Sequence, residues 1–421
     1  MPSPSPSPSP SPGYRSVFRV REFRAVFAAH LLSVLGVVVA EISLTVLVYR
    51  LTGSPLMSAL TFALGFLPYV IGGTLLAPVA DRYPARRVLV ICDLVCAGCA
   101  AAMVVPGTPV AVLLALRCAM AVVAPLFQGT RNASLADILG PGDAFVLGRS
   151  LLRMVAQSAQ LVGFGLGGLL LAVVAPRAAI ALTAAGLVGS ALLLRFGTRA
   201  RPARAGRAAR TSPLAGVRAV LGERRTRALT LMFWVPSFFV VVPEALMAPY
   251  VDGLGAGTVA LGLAMCALPV GTIAGELWAG SRLSARTRSR IVVPLAAVGL
   301  LPLLGYLARP GVPVLLAVLV LAGLAHAYTL GLDQWYVETV PEEARGRAMT
   351  LLSTGLMTLQ GAGMALAGLA AEFLPLHVVV AGAGALGTVC VLWLLGELRA
   401  TAPGAAPAPV RSKDETGLTT K

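Results

Sequence analysis

The chain has 421 residues, 57% hydrophobic and only 12% charged, with a mean hydropathy of +0.83. That excludes an ordinary soluble globular protein, in which roughly a quarter of residues are charged. The net charge of +16 would suggest nucleic acid in a soluble chain. No aromatic-interleaved basic patch accompanies it, so the excess is assigned to membrane topology and to attraction towards anionic lipid, and no nucleic-acid partner is expected.

Residues 3–12 form a Ser-Pro repeat, expected to stay extended within a disordered cytoplasmic N terminus over 1–24. Apolar segments follow at 25–49, 56–80, 88–105, 109–139, 150–174, 177–196, 228–251, 255–280, 291–308, 313–337, 348–371 and 376–396. A helix needs roughly 20 apolar residues to cross a hydrocarbon core about 30 Å thick. Segment 109–139 exceeds that, and its C-terminal end is expected to project into the cytoplasm. The first apolar run is too long for a cleavable signal peptide, and no small-residue cleavage pattern follows it.

Arginines crowd alternate connections. Arg15, Arg19, Arg21 and Arg24 precede segment 1; Arg82, Arg86 and Arg87 follow segment 2; Arg149 follows segment 4, with Arg131 and Arg153 near it. Nine arginines lie between Arg199 and Arg227; Arg282, Arg286, Arg288 and Arg290 follow segment 8; Arg345 and Arg347 follow segment 10. The other connections hold only Arg50, Arg177 and Arg309. Basic loops stay inside, so both termini are expected in the cytoplasm, with the protein multi-pass in the cell membrane. The Ala/Pro-rich stretch 397–421 reads as a disordered tail.

The basic connection 197–227 divides the segments six and six, giving bundles at 25–196 and 228–396. Gly148-Arg149 precedes Gly163-Phe164-Gly165 at the spacing by which Gly346-Arg347 precedes Gly361-Ala362-Gly363, and Arg82 and Arg86 echo Arg282 and Arg286. The fold expected is an all-α polytopic membrane protein of about twelve helices in two pseudo-symmetric halves. Parallel repeats of this kind place a substrate site between the halves near the membrane midplane.

Cys92, Cys96 and Cys99 share one face of segment 3. A soft metal site is one reading; packing as small apolar residues is favoured. Gly163, Gly165 and Gly168 have dinucleotide-like spacing, but no strand precedes them, and close helix contact is expected instead.

The second connection reads Ala77-Pro-Val-Ala-Asp81-Arg82-Tyr-Pro84-Ala-Arg86-Arg87. It resembles the Gly-x-x-x-Asp-Arg-x-Gly-x-Arg-Arg signature of the major facilitator superfamily, with Ala77 and Pro84 in place of the glycines. Within that family, Leu51-Thr-Gly-Ser-Pro55, Ser150 to Gln160 and Val340 to Arg347 look most like bacterial drug, macrolide and siderophore exporters. Three departures stand out. Met120 and Ala121 follow Arg117 where drug–proton antiporters carry Gln and Gly, Gly163–Gly168 lacks their proline, and Val37 stands where an acid often follows a glycine in helix 1. The resemblance implies that Asp81, Arg82, Arg86 and Arg87 belong to a gate that locks the cytoplasmic side of the outward-open state, with Asp137 a candidate partner. The alternative is that the arginines are topological anchors, which leaves Asp81 unexplained.

An ionisable residue in hydrocarbon is costly and marks a cavity or a partner. Glu41 and Arg117 each lie about eight residues from the outer ends of segments 1 and 4, ~12 Å deep at about 1.5 Å per residue. They are candidates for a proton-coupling centre, or for a static packing pair. Glu244 is the counterpart of Glu41 in segment 7, where Pro236 and Pro243 interrupt the helix; a carboxylate at a wet outer mouth is the alternative. Asp93 and Glu276 are placed near the cytoplasmic ends of segments 3 and 8, either lining an inner vestibule or pairing with Arg87 or Arg282 as locks. Asp333 joins them from segment 10. His326, about two turns deeper, is a candidate proton relay or a packing histidine. Trp234, Phe238, Phe239, Tyr328 and Tyr336 would suit an aromatic wall for amphipathic cations; the phenylalanines would equally face lipid.

No Walker motif or catalytic cluster is visible, so no enzyme activity and no cofactor are expected, with the proton gradient as energy source. The expected function is proton-coupled export of a drug-like molecule, natural product or siderophore by a monomer in contact with lipid. An importer or lipid transporter on the same scaffold, and a non-transporting receptor-like protein, are the alternatives.

Overall fold

The computed structural model describes residues 17–401 except 77, 78, 80, 81, 141, 142, 202–220 and 341, and describes no side chains at 74, 136, 143–147, 149, 150, 153, 157, 285, 337 and 342–347. The Ser-Pro repeat, Asp81, most of the basic linker and the tail lie outside the described residues.

In chain order the helices are α1 (Arg21–Thr52), α2 (Pro55–Phe66), α3 (Tyr69–Leu75), α4 (Ala85–Val104), α5 (Val110–Leu139), α6 (Asp143–Val173) and α7 (Pro176–Gly197) in the first half. The second half has α8 (Arg224–Val240), α9 (Val242–Gly253), α10 (Gly257–Arg282), α11 (Ala285–Val298), a 3-10 helix (Leu301–Ala308), α12 (Val312–Ala325), α13 (Tyr328–Thr339), α14 (Glu342–Ala371) and α15 (Leu376–Ala400). Among the described residues, eleven helical stretches are long and apolar enough to cross a membrane. The 30-residue α14, without a charged residue over 348–371, makes the twelfth. An even number of crossings puts both ends of the described chain, and the arginine-rich connections, on one face, called here the basic face.

Large apolar side chains remain on the surface, among them Val173 (81% exposed), Phe196 (80%) and Phe373 (79%). In water such a surface would be an aggregation site; against lipid it is solvated.

Several crossings expected as single helices are broken. Segment 2 breaks at Leu67-Pro68 between α2 and α3, because proline has no N–H for the ladder and crowds the preceding turn. Segment 7 breaks at Val241, just before Pro243 at the start of α9, as its two prolines suggest. Segment 9 tightens into the 3-10 helix with Pro302 in its first turn. The break at His326-Ala327 in segment 10 carries no proline; it falls three residues after Gly323, where a Cβ would stand 2.2 Å from the Leu268 carbonyl of α10.

The halves meet along two seams, α6 with α10 and α2 with α14. A Cβ on Gly168 would lie 2.6 Å from the Cα of Gly262, and one on Gly368 would lie 2.6 Å from the Cβ of Ala59. Small residues allow backbones to touch, which is the main packing device available in lipid. Both contacts lie towards the face opposite the basic one. There α9 also packs on α1 and α2, and Glu372 accepts hydrogen bonds from the Ser54 hydroxyl and, at 3.1 Å, from the Leu56 N–H. The structure is therefore closed on the far face.

Candidate functional site

α1 reaches its outer end at Gly53, whose left-handed φ of 66° lets its N–H bond the Tyr49 carbonyl at 2.8 Å, a common helix stop. Three turns back, Glu41 projects towards α5, and Arg117 Nη2 donates to its carboxylate. Both side chains are largely buried, 13% and 9% exposed respectively, so the charges are held in a medium of low dielectric where mutual attraction is strong. Among the described residues the Nε of Arg117 has no hydrogen-bond partner.

Glu244 sits in the first turn of α9, directly after Pro243 and at the break in crossing 7. It is half-buried and within electrostatic range of Glu41. A carboxylate of the second half thus lies near the Glu41–Arg117 pair of the first. A set of this composition balances its charge when it takes up one proton or one cationic group.

A second polar pair lies below the first. Arg131 Nη1 contacts both ring nitrogens of His30, with Nε2 at 3.1 Å, and its guanidinium carbon stands 5.9 Å from the centroid of the Phe127 ring. Neither residue is a site candidate in the sequence, where Arg131 enters only among the arginines near the end of segment 4. The spacing holds the signal: eleven residues from His30 to Glu41 and fourteen from Arg117 to Arg131 return to within about 40° of the same helix face at 100° per residue.

The other sequence candidates are distributed elsewhere. Asp93 is a correction. It is 2% exposed, inside the first half between α1, α4 and α7, where it accepts from Ser33 at 3.3 Å and Ser190 at 2.6 Å. It neither lines a vestibule nor pairs with Arg87, because α4 turns it towards α1 and α7 while Arg87 is exposed. Trp234 is half-buried: its indole N–H donates to the Leu352 carbonyl at 2.9 Å and its ring lies on Gly355 of α14. His326 and Tyr328, with ring centroids 5.6 Å apart, pack with Pro236, Val240 and Leu300 at the level where crossings 7, 9 and 10 are interrupted. These aromatics form a group within the second half, apart from Glu41 and Arg117. Tyr336 is fully buried against Phe233.

On the basic face, Arg86 donates to the Thr198 carbonyl at 3.1 Å. A cation there offsets the negative end of α7. Arg82 and Arg87 are exposed. Asp137 is exposed and lines, with Arg86, Arg199 and Arg201, a cavity of about 400 Å³ within the first half. Glu22 holds Arg199 at 3.3 Å and Arg201 at 2.8 Å, tying the linker start to α1. Glu276 is half-buried on α10, and Asp333 is exposed on α13. Cys92 is buried and Cys96 and Cys99 half-buried, among Val88, Leu126, Ala97, Ala100 and Met103.

Two bundles of six crossings, seamed by small residues and enclosing paired charges, define a secondary transporter that works by alternating access. The sequence matches the Major Facilitator Superfamily over residues 26–304, and the chain belongs to that family. The assignment makes it an integral membrane protein that carries a small-molecule substrate, and not an enzyme. No curated protein matches the sequence. Among solved structures, the nucleoside transporter NupG, in a mutant form, is similar with a TM-score of 0.67 at 14% identity, over 89% of this chain and 99% of that one. A D-xylose–proton symporter has a TM-score of 0.65 at 15% identity, over 91% and 97%. A bacterial homologue of the human lysosomal transporter Spinster, inward-facing and occupied, has 0.63 at 15% identity, over 93% and 96%. At these identities the likeness is one of fold.

Proposed function

We propose that the protein is a proton-coupled exporter of a small amphipathic molecule that carries a cationic group, working from the cytoplasmic membrane. The observation that carries the reading is the Glu41–Arg117 pair, with Glu244 of the other half within electrostatic range of Glu41. In apolar surroundings the set favours charge balance, so a proton and a substrate cation compete for the same carboxylates. Arg117 donates to the Glu41 carboxylate, a bond that proton or substrate must compete with. Substrate arriving from the cytoplasm displaces the proton, the halves rock, and a proton from outside displaces the substrate. The positive-inside rule makes the basic face cytoplasmic, so the closed far face is the outer one.

Asp81, Arg82, Arg86 and Arg87, with Asp137, Glu276 and Asp333, are read as the inner gate and its supports. His326, Tyr328 and Trp234 are read as the second half's wall around the hinge level.

The test uses everted vesicles with an inward-acid interior and a panel of fluorescent amphipathic cations. Accumulation that a protonophore abolishes, and that is lost in Glu41→Gln and in Glu244→Gln, is expected. Uptake by right-side-out vesicles driven by an acid exterior would make the protein a symporter; normal transport by both variants would remove the carboxylates from the mechanism.

A further inference from the structure

The helix beneath the charge pair is α2, and its two faces do different things. Leu56, Ala59, Ala63 and Leu67 recur along one stripe and meet α14 of the other half. A Cβ on Gly361 would stand 2.9 Å from Leu67 Cγ and 3.1 Å from the Ala63 carbonyl oxygen, and one on Gly368 would stand 2.6 Å from Ala59 Cβ. Gly65 is two residues from Ala63, about 200° round the helix, and so faces the opposite way. There a Cβ would lie 2.1 Å from Arg117 Nη2, 3.0 Å from Cζ and 3.1 Å from Glu41 Oε1. The guanidinium and the carboxylate therefore rest on bare backbone.

Gly65 has a negative φ inside a regular helix, so backbone conformation does not require glycine. In a helix interior it costs about 1 kcal/mol relative to alanine. Space for the pair is the physical reason that remains.

We propose that Gly65 is a positioning residue: by lacking a side chain it seats Arg117 on α2 so that the guanidinium reaches Glu41. Its importance for coupling rests on the reading of that pair as the proton site. The seat also fastens the pair to the one helix whose other face forms the α14 seam, so that displacement of α2 as the halves move acts directly on the pair.

The test reads the state of Glu41 without needing a substrate. A carbodiimide that modifies carboxyls in their protonated form is applied to the purified full-length protein in detergent, and labelling at Glu41 is followed by peptide mass spectrometry. Gly65→Ala is expected to raise the labelling rate at Glu41 several-fold over wild type, because the methyl pushes the guanidinium off its carboxylate. Gly65→Ala combined with Arg117→Lys, whose slimmer head clears the methyl, is expected to return the rate to that of Arg117→Lys alone. Unchanged labelling in Gly65→Ala would overturn the proposal, as would labelling that stays raised in the double variant. If Gly65→Ala does not fold, recovery of folding by Arg117→Lys supports the seat, and failure to recover overturns it. Arg117→Ala separates the underlying reading: if it labels no faster than wild type, the pair itself does not hold the carboxylate, whatever Gly65 does.

Discussion

The two halves share a plan of six crossings and spend their polar groups in opposite ways. In the first half α1, α4, α5, α6 and α7 are unbroken, and buried charge pins them together: Glu41 to Arg117 across α1 and α5, His30 to Arg131 lower on the same two helices, and Asp93 to Ser33 and Ser190 across α4, α1 and α7. In the second half crossings 7, 9 and 10 are interrupted near one level, around Pro236, Leu300 and His326, and an ion pair, Arg224 to Glu397 at 2.9 Å, lies at the basic face. A buried ion pair fixes two helices because separating them strands a charge in low dielectric. A helix break gives up ladder hydrogen bonds and gains a bend. The first half is thus built as a frame that holds the charges, and the second as the element that flexes against it.

The comparison breaks most visibly at Arg117. Arg117→Ala leaves Glu41 buried without a partner and is expected to cost about 3–5 kcal/mol, read as a large fall in thermal stability in detergent. Glu244→Gln, at a half-buried group that makes no hydrogen bond or ion pair among the described residues, is expected to shift stability little while abolishing transport. Equal losses in the two variants would mean that the halves do not differ in this way.

Next in size is the packing of the flexing half. A Cβ on Gly355 would lie 2.2 Å from the Trp234 ring. Gly355→Ala is expected to cost about 1–3 kcal/mol through overpacking. Trp234→Phe in the same background is expected to recover only part of that, since the hydrogen bond to Leu352 is also lost. Ser190→Ala sharpens the frame side. It removes the closer donor to Asp93 and is expected to cost about 1–3 kcal/mol, measured by the same melting curves.

The broad architecture was legible because hydrocarbon imposes length on helices and arginine imposes sidedness, and both are written in composition. Glu41 and Arg117 were legible because a charge in an apolar run is conspicuous, and equal depth in segments 1 and 4 allows pairing. Gly65 was not: one glycine among 45 means nothing until the side chain resting on it is known. Asp93 was misplaced because sequence gives depth along a helix but not azimuth, and α4 turns it inward between two serines. The break at His326 was missed because no proline marks it, and Gly323 three residues earlier is one glycine among 45.

The smallest expected effect is at the far-face closure, where the frame and the flexing half touch through one exposed carboxylate. The Ser54 hydroxyl, and then the Leu56 N–H at the start of α2, hold Glu372 below the usual carboxylate range. A depressed value in the closed state means that the contact contributes fully above the ordinary carboxylate range and is lost as pH falls through the lowered value. The latch is therefore intact at neutral pH, and only strongly acid medium on the far face releases it. Glu372→Gln keeps an acceptor but removes the charge, and is expected to open the far seam modestly at neutral pH and to flatten its acid dependence. The reporter is Ala59→Cys, buried in the seam beneath Gly368, in a background without the six native cysteines. Its labelling rate with an impermeant maleimide is expected to rise several-fold in Glu372→Gln at neutral pH, and in the otherwise unchanged reporter only on strong acidification. Identical rates at every pH in both proteins would show that the seam is held shut by its small residues alone, and that the contact between frame and flexing half at this point carries no electrostatic share.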